Sequence, residues 1–155
     1  MPSLPRALPN VRAVIMGCAD MRVDPAQLFG LESGEAVVLR NIGGRITPGL
    51  LDELGMLGRI GEVAGKAPGG GGEFHLIVLH HTDCGITRLV NQPAMLASFF
   101  GIEEAELDLS TVSDPWASVA QDVAAPRSDD RLPGIHVAGF VYDVATGHID
   151  DVPAP

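Results

Sequence analysis

Cysteine is scarce. Cys18 and Cys84 are the only two in 155 residues, too few for the disulfide framework of a small secreted domain. Positive charge is also short: ten Lys plus Arg face twenty Asp plus Glu, for a formal net charge of −10. No run of Lys or Arg concentrates those cations, so a phosphate backbone would be repelled and nucleic acid is excluded as a partner. Long apolar runs are missing as well. Leu76–Leu79 is a strand's worth, far below the ~18–20 residues of a membrane span. Val14–Met16, which follows Arg6 and Arg12, is too short for the apolar region of a signal peptide. The expected location is therefore the cytoplasm, with no membrane partner. In that reducing compartment two cysteines point to metal binding or catalysis more than to cross-linking.

What is present suits one domain. Hydrophobic residues make up 46% of the chain, and a chain of this length buries a core large enough to fold without a staple. Met1–Asn10 carry three prolines and no periodicity, so residues 1–10 read as an extended lead-in and 11–155 as the domain. Arg12–Gly17 is a β-branched apolar run ending at Cys18, the first expected strand. Asp24-Pro25 caps a short helix through Ala26, Leu28 and Phe29. Ala36–Arg40 is the second strand, ending in the turn-rich Asn41–Gly44. From Pro48 to Ala64 the apolar residues recur at helical steps. Ala67–Gly72 is a glycine-rich loop without the Lys-Ser/Thr of a phosphate-binding loop.

His75–Leu79 is the third strand, and it runs directly into His80-His81-Thr82-Asp83-Cys84-Gly85. Ile86–Gly101 reads as helical with a break at Pro93. Asp114 and Pro115 open a further helix with Trp116, Val119, Ala120 and Val123 on one face, Trp116 being expected in the core. Ile135–Tyr142 is the fourth strand. Ala145–Gly147 turns it into a short antiparallel fifth, His148–Val152. Apolar strands alternating with helices imply an α/β fold: a central, mostly parallel sheet flanked by helices. With the first strand central the order is 2-1-3-4. Ligands in such sheets bind at the carboxyl ends of the strands where the connections diverge.

That topology brings Cys18, at the end of strand 1, beside His81 and Cys84, after strand 3. Two thiolates and an imidazole form a set suited to zinc, and three protein ligands leave a tetrahedral ion one open position. Water there becomes acidic enough to supply a zinc-bound hydroxide near neutral pH. The structural rival is a Cys18–Cys84 disulfide. Asp20 and Arg22 follow Cys18 closely; as a pair they either orient the water in the open position or form a surface ion pair. Asn41–Arg45 either offers backbone N–H groups to an anion or is a tight turn. His80 reads as a strand-end residue, because adjacent side chains point to opposite faces. His75, His136 and His148 have no partner spacing and read as ordinary strand residues.

Taken in order, Cys18-Ala19-Asp20-Met21-Arg22, Arg40-Asn41-Ile42-Gly43-Gly44 and His81-Thr82-Asp83-Cys84-Gly85 resemble the β-class carbonic anhydrases. The resemblance runs from Val11 to Val152 and includes Gly139–Asp143. It implies a Zn2+ domain over 11–155, with the metal held by Cys18, His81 and Cys84. Asp20 and Arg22 are then the catalytic gatekeepers of the fourth position, with Asp20 itself the fourth ligand in a closed state. It also implies a homodimer, or a tetramer built from it, with sites along the subunit interface. The expected reaction is reversible hydration of carbon dioxide to bicarbonate. Relatives that hydrolyse carbonyl sulfide or carbon disulfide use the same ligands and form the alternative. A second alternative is a non-catalytic zinc-dependent structural or regulatory protein in which Asp20 permanently fills the open position. Three features depart from the family pattern: Ala19 and Met21 in place of serines, the short lead-in in place of a helical arm, and the Ala67–Gly72 insertion.

Overall fold

Near-continuous runs of Val, Ile, Leu and Met have no polar face to show to water, so they pack as the middle of a covered sheet. The computed structural model describes residues 13–63 and 74–153; the expected lead-in over 1–10, the helix end at Ala64 and the Ala67–Gly72 loop lie outside them. β1 (Ala13–Cys18) is buried at every residue. It pairs in parallel with β2 (Ala36–Asn41) on one side and with β3 (Phe74–His81) on the other. β4 (Ile135–Tyr142) continues the parallel sheet beside β3, and β5 (Ile149–Val152) closes it antiparallel. The order is β2-β1-β3-β4-β5, as the strand pattern implies.

Side-chain alternation divides the core. Val14, Met16, Leu76, Val78, Val137 and Val141 face the helices α2 (Pro48–Val63) and α5 (Pro115–Arg127), meeting Leu50, Leu54, Val119 and Val123. Ile15 and Leu79 face the other way, toward Val23, Phe29 and Phe140, beside the single-turn helix α1 (Pro25–Leu28). Asp24 caps α1 by accepting the Ala26 N–H. The helix expected over Ile86–Gly101 divides into a 3-10 turn, Gly85–Leu89, and α3 (Pro93–Phe100). Pro93 has no N–H to extend a preceding helix, and its fixed φ suits the first turn of a new one. A further single turn, α4 (Ser110–Ser113), leads into α5.

Trp116 is not in the core: it is 42% exposed. The buried stripe of α5 is Ser118, Val119, Asp122, Val123 and Pro126, and Trp116 lies about a quarter turn away from its centre. The stripe packs closely on β4 because Gly139 has no side chain. A Cβ there would stand 2.3 Å from Val119 Cγ1 and 2.8 Å from Val123 Cγ2. Among the described residues no helix is long and apolar enough to cross a membrane.

Gly139→Ala is expected to overpack this contact and lower stability by about 1–3 kcal/mol. Urea denaturation measures the loss. An unchanged midpoint would mean that α5 is not seated on β4 in this way.

Candidate metal centre

β1 and β3 run parallel with Gly17 level with Leu79, so the chain leaves both strands at the same edge of the sheet. Gly44 makes that edge compact. It has φ +66, and a Cβ on it would stand 2.9 Å from both the Cys18 nitrogen and the Gly17 carbonyl carbon. Only glycine brings the end of β2 this near to β1. The turn is tied by Asn41, whose side chain accepts from the Arg45 N–H at 2.8 Å and donates to the Arg45 carbonyl at 2.9 Å. Of the two sequence readings of Asn41–Arg45, the structure matches the tight turn. After β3, Asp83 adopts φ +52, a left-handed conformation that Asp tolerates better than most residues. It carries the chain round to Cys84, which opens the 3-10 turn.

These turns bring together the three residues the sequence singles out. One ligand atom from each of Cys18, His81 and Cys84 lies within 4.8 Å of the others, and all three residues are buried. The two sulfurs are 3.6 Å apart and the cysteines are free, so the disulfide rival is absent; a disulfide would need about 2.05 Å. Two sulfurs each about 2.3 Å from one tetrahedral centre stand about 3.8 Å apart, so the observed spacing suits a metal. His81 Nδ1–H donates to the Thr82 carbonyl at 2.7 Å. Its Nε2 is buried without a hydrogen-bond partner among the described residues. An orphaned imidazole nitrogen beside two thiols, with its other nitrogen fixed by a carbonyl, is the preparation a metal ligand requires.

The protonation pattern agrees. Cys18 is lowered to about 4, first by the hydrogen bond from Cys84, against burial, then by His81 and the backbone N–H groups of Asp20 and Gly43. Cys84 is pushed up by the same contact with Cys18 and by burial. The two therefore share one proton in the absence of an ion. Burial opposes charge on His81, but the neighbouring Cys18 sulfur and the hydrogen bond to the Thr82 carbonyl outweigh it and raise the ring's pKa.

Asp20 and Arg22 stand at the mouth. Arg22 Nη2 and Nε donate to the Asp20 carboxylate at 2.7 and 3.0 Å, which hold it well below the usual carboxylate range against desolvation. Asp20 Oδ2 lies 3.8 Å from His81 Nε2, near the space between the ligands. The far side of Arg22 holds the other loop, with Nη1 on the Asp83 carboxylate and Nη2 on the Asp83 carbonyl, both at 3.0 Å. One guanidinium thus spans the loops that follow β1 and β3. Arg40 braces the first loop from behind, donating to the carbonyls of Cys18, Asp20 and Val23 at 2.8, 2.6 and 2.7 Å.

The motifs alone give Arg40, Asp83, Arg45 and Asp122 no role. Asp122 had an available signal: it lies three residues after Val119, a carboxylate within an apolar helical stripe. His80 turns away from the thiols toward α5, with Nδ1 2.6 Å from Ser118 Oγ. His75 and His136 stack at 5.0 Å on neighbouring strands, both at the opposite end of the sheet from Cys18.

Fold and site together define an α/β protein with a buried Cys2His cluster that could hold a metal ion, at the point where the strand connections diverge. The family model described as carbonic anhydrase matches residues 13–101. A carbonic anhydrase structure from Streptococcus mutans is 32% identical, with a TM-score of 0.71, covering 99% of this chain and 87% of that one. β-Carbonic anhydrase 1 of Mycobacterium tuberculosis is 27% identical over 154 residues, 93% of this chain and 83% of that protein. A carbon disulfide hydrolase of Acidianus sp. is 25% identical over 170 residues, 91% of this chain and 78% of that protein. The chain belongs to the carbonic anhydrase family, in its β class.

Metal binding near pH 8 is expected to release at least the proton that Cys18 and Cys84 share, because thiolates and not thiols are ligands. Calorimetry in buffers of different ionisation enthalpy counts it. Affinity should fall as pH falls. Binding without proton release would show that the two sulfurs do not share a proton.

Proposed function

We propose that this chain is a zinc enzyme that interconverts carbon dioxide and bicarbonate, with Cys18, His81 and Cys84 as ligands and Asp20 and Arg22 as its catalytic pair. The observation that carries this reading is the Asp20 carboxylate, ionised by Arg22 and poised 3.8 Å from His81 Nε2. Bound between the three ligands, zinc supplies a Lewis acid that draws the pKa of a water toward neutrality. Asp20 accepts a hydrogen bond from the reacting water and so aims its lone pair at the substrate carbon. Arg22 supplies the competing attraction that keeps Asp20 off the ligand position. Without it, an anion beside an open cation would close the site.

The Acidianus relative's name, carbon disulfide hydrolase, motivates a second reading in which the same ligands and the same Asp20 serve carbonyl sulfide or carbon disulfide. The purely structural reading is disfavoured by Arg22, which would have no reason to grip Asp20 if that carboxylate were a permanent ligand. We further take residues 11–155 as one catalytic domain working in the cytoplasm as a homodimer or a tetramer built from two such dimers. Exposed Met56 and Ile60, one turn apart on α2, support a subunit contact there.

Carbon dioxide hydration and carbonyl sulfide hydrolysis, assayed side by side on the purified protein, test the substrate; hydration should dominate. Arg22→Ala leaves all three ligands in place and is expected to keep its zinc while losing about a hundredfold or more in turnover. Wild-type turnover in Arg22→Ala would reduce Asp20 and Arg22 to a surface pair.

A further inference from the structure

Behind the metal centre lies a second set of charged and polar groups that the proposed reaction does not use. Arg45, His80, Ser118 and Asp122 are all buried, Arg45 to 2% exposure and Asp122 to 3%. The Asp122 carboxylate accepts from Arg45 Nε at 2.7 Å, Arg45 Nη2 at 3.3 Å and the Ile46 N–H at 3.0 Å. His80 Nε2 is 3.4 Å from the same carboxylate and donates to the Gly44 carbonyl at 2.9 Å. The other end of Arg45 is used too: Nη1 donates to the Thr111 carbonyl at 2.8 Å, and the guanidinium lies over the Phe100 ring at 4.6 Å.

Stability does not require such a cluster. Removing these charges from water is costly, and apolar side chains of the same volume often serve a core as well or better. What a hydrogen-bonded cluster supplies is direction. On β3 the even residues Leu76 and Val78 face α5 and the odd residues Ile77 and Leu79 face α1. His80 continues the first series and His81 the second. Locking the His80 ring between Ser118, Gly44 and Asp122 therefore sets the rotation of the strand end, and with it the direction in which His81 leaves the opposite face. The cluster acts on the other ligand segment as well. Gly44, whose carbonyl His80 holds, is the residue packed against the Cys18 nitrogen, and Asp122 grips Arg45 and Ile46 immediately after it.

We infer that the Asp122–Arg45–His80 cluster positions the metal centre: one buried carboxylate on α5 orients both the strand end that presents His81 and the turn that supports Cys18. His80 and Asp122 are positioning residues. Neither is a ligand. The inference rests on reading Cys18, His81 and Cys84 as a metal site.

Cobalt(II) in place of zinc is the probe, because its visible bands report tetrahedral geometry and thiolate ligation without any assay of turnover. Wild-type protein should show both features. His80→Leu keeps the volume and removes the ring's hydrogen bonds; it should fold, bind cobalt about tenfold or more weakly in competition with a chelator, and show altered bands. His80→Gln, which restores a donor toward Gly44, should recover most of the wild-type spectrum. If His80→Leu lowers only the melting temperature and keeps wild-type affinity and bands, the cluster is merely structural and the inference is overturned. Should His80→Leu fail to fold, Asp122→Asn is read in the same way: altered bands support the inference and unaltered bands overturn it. Absence of a thiolate–cobalt band in wild type would overturn the metal reading and this inference together, whereas equal binding by wild type and His80→Leu would overturn the inference alone.

Discussion

The close approach of three strand ends governs this protein. β1, β2 and β3 terminate at one edge of a parallel sheet, and Gly44 lets the turn after β2 rest directly on the backbone of Cys18. A side chain there would meet backbone, which has little freedom to yield. Because that packing is fixed, residues 63 positions apart in the chain present their sulfur and nitrogen atoms to a common point. A site built this way needs no long loop, and its precision comes from the sheet rather than from local folding.

Electrostatics then separates two tasks that lie within a few ångströms of each other. The inner groups, Cys18, Cys84 and His81, are buried, with the two sulfurs 3.6 Å apart and His81 Nε2 without a hydrogen-bond partner among the described residues. The outer groups, Asp20, Arg22 and Asp83, form a charged strap at the mouth, with Asp20 mostly covered and Arg22 and Asp83 exposed, where each single contact is weak. Their value lies in geometry: Arg22 engages both loops at once, so a shift of either loop changes the position of Asp20. The third layer, Asp122 with Arg45 and His80, is fully buried and carries no reacting group.

Much of this is legible in the amino-acid sequence, for identifiable reasons. Apolar runs of five to eight residues, bounded by Gly, Pro and Asn, mark the parallel strands, and β4 has the expected boundaries. Cys18, His81 and Cys84 stand out because strand ends at a point of diverging connections collect functional residues. Pro93 marks the break between the 3-10 turn and α3. The less legible features depend on pairing across long separations. Nothing local tells that Asp122 meets Arg45, 77 residues earlier, or that Arg22 reaches Asp83. Trp116 reads as core from the sequence because a period of 3.6 defines a stripe only to within a quarter turn, and the sheet, not the helix, decides which part of it is covered.

The central claim is that the sheet gathers a metal centre of two sulfurs and one imidazole from Cys18, Cys84 and His81. X-ray absorption at the zinc edge, on protein purified without added metal and then loaded with one equivalent, measures that first shell directly. The account predicts two sulfurs at about 2.3 Å and two nitrogen or oxygen neighbours at about 2.0–2.1 Å. A shell of nitrogen and oxygen alone, or one with four sulfurs, would contradict it.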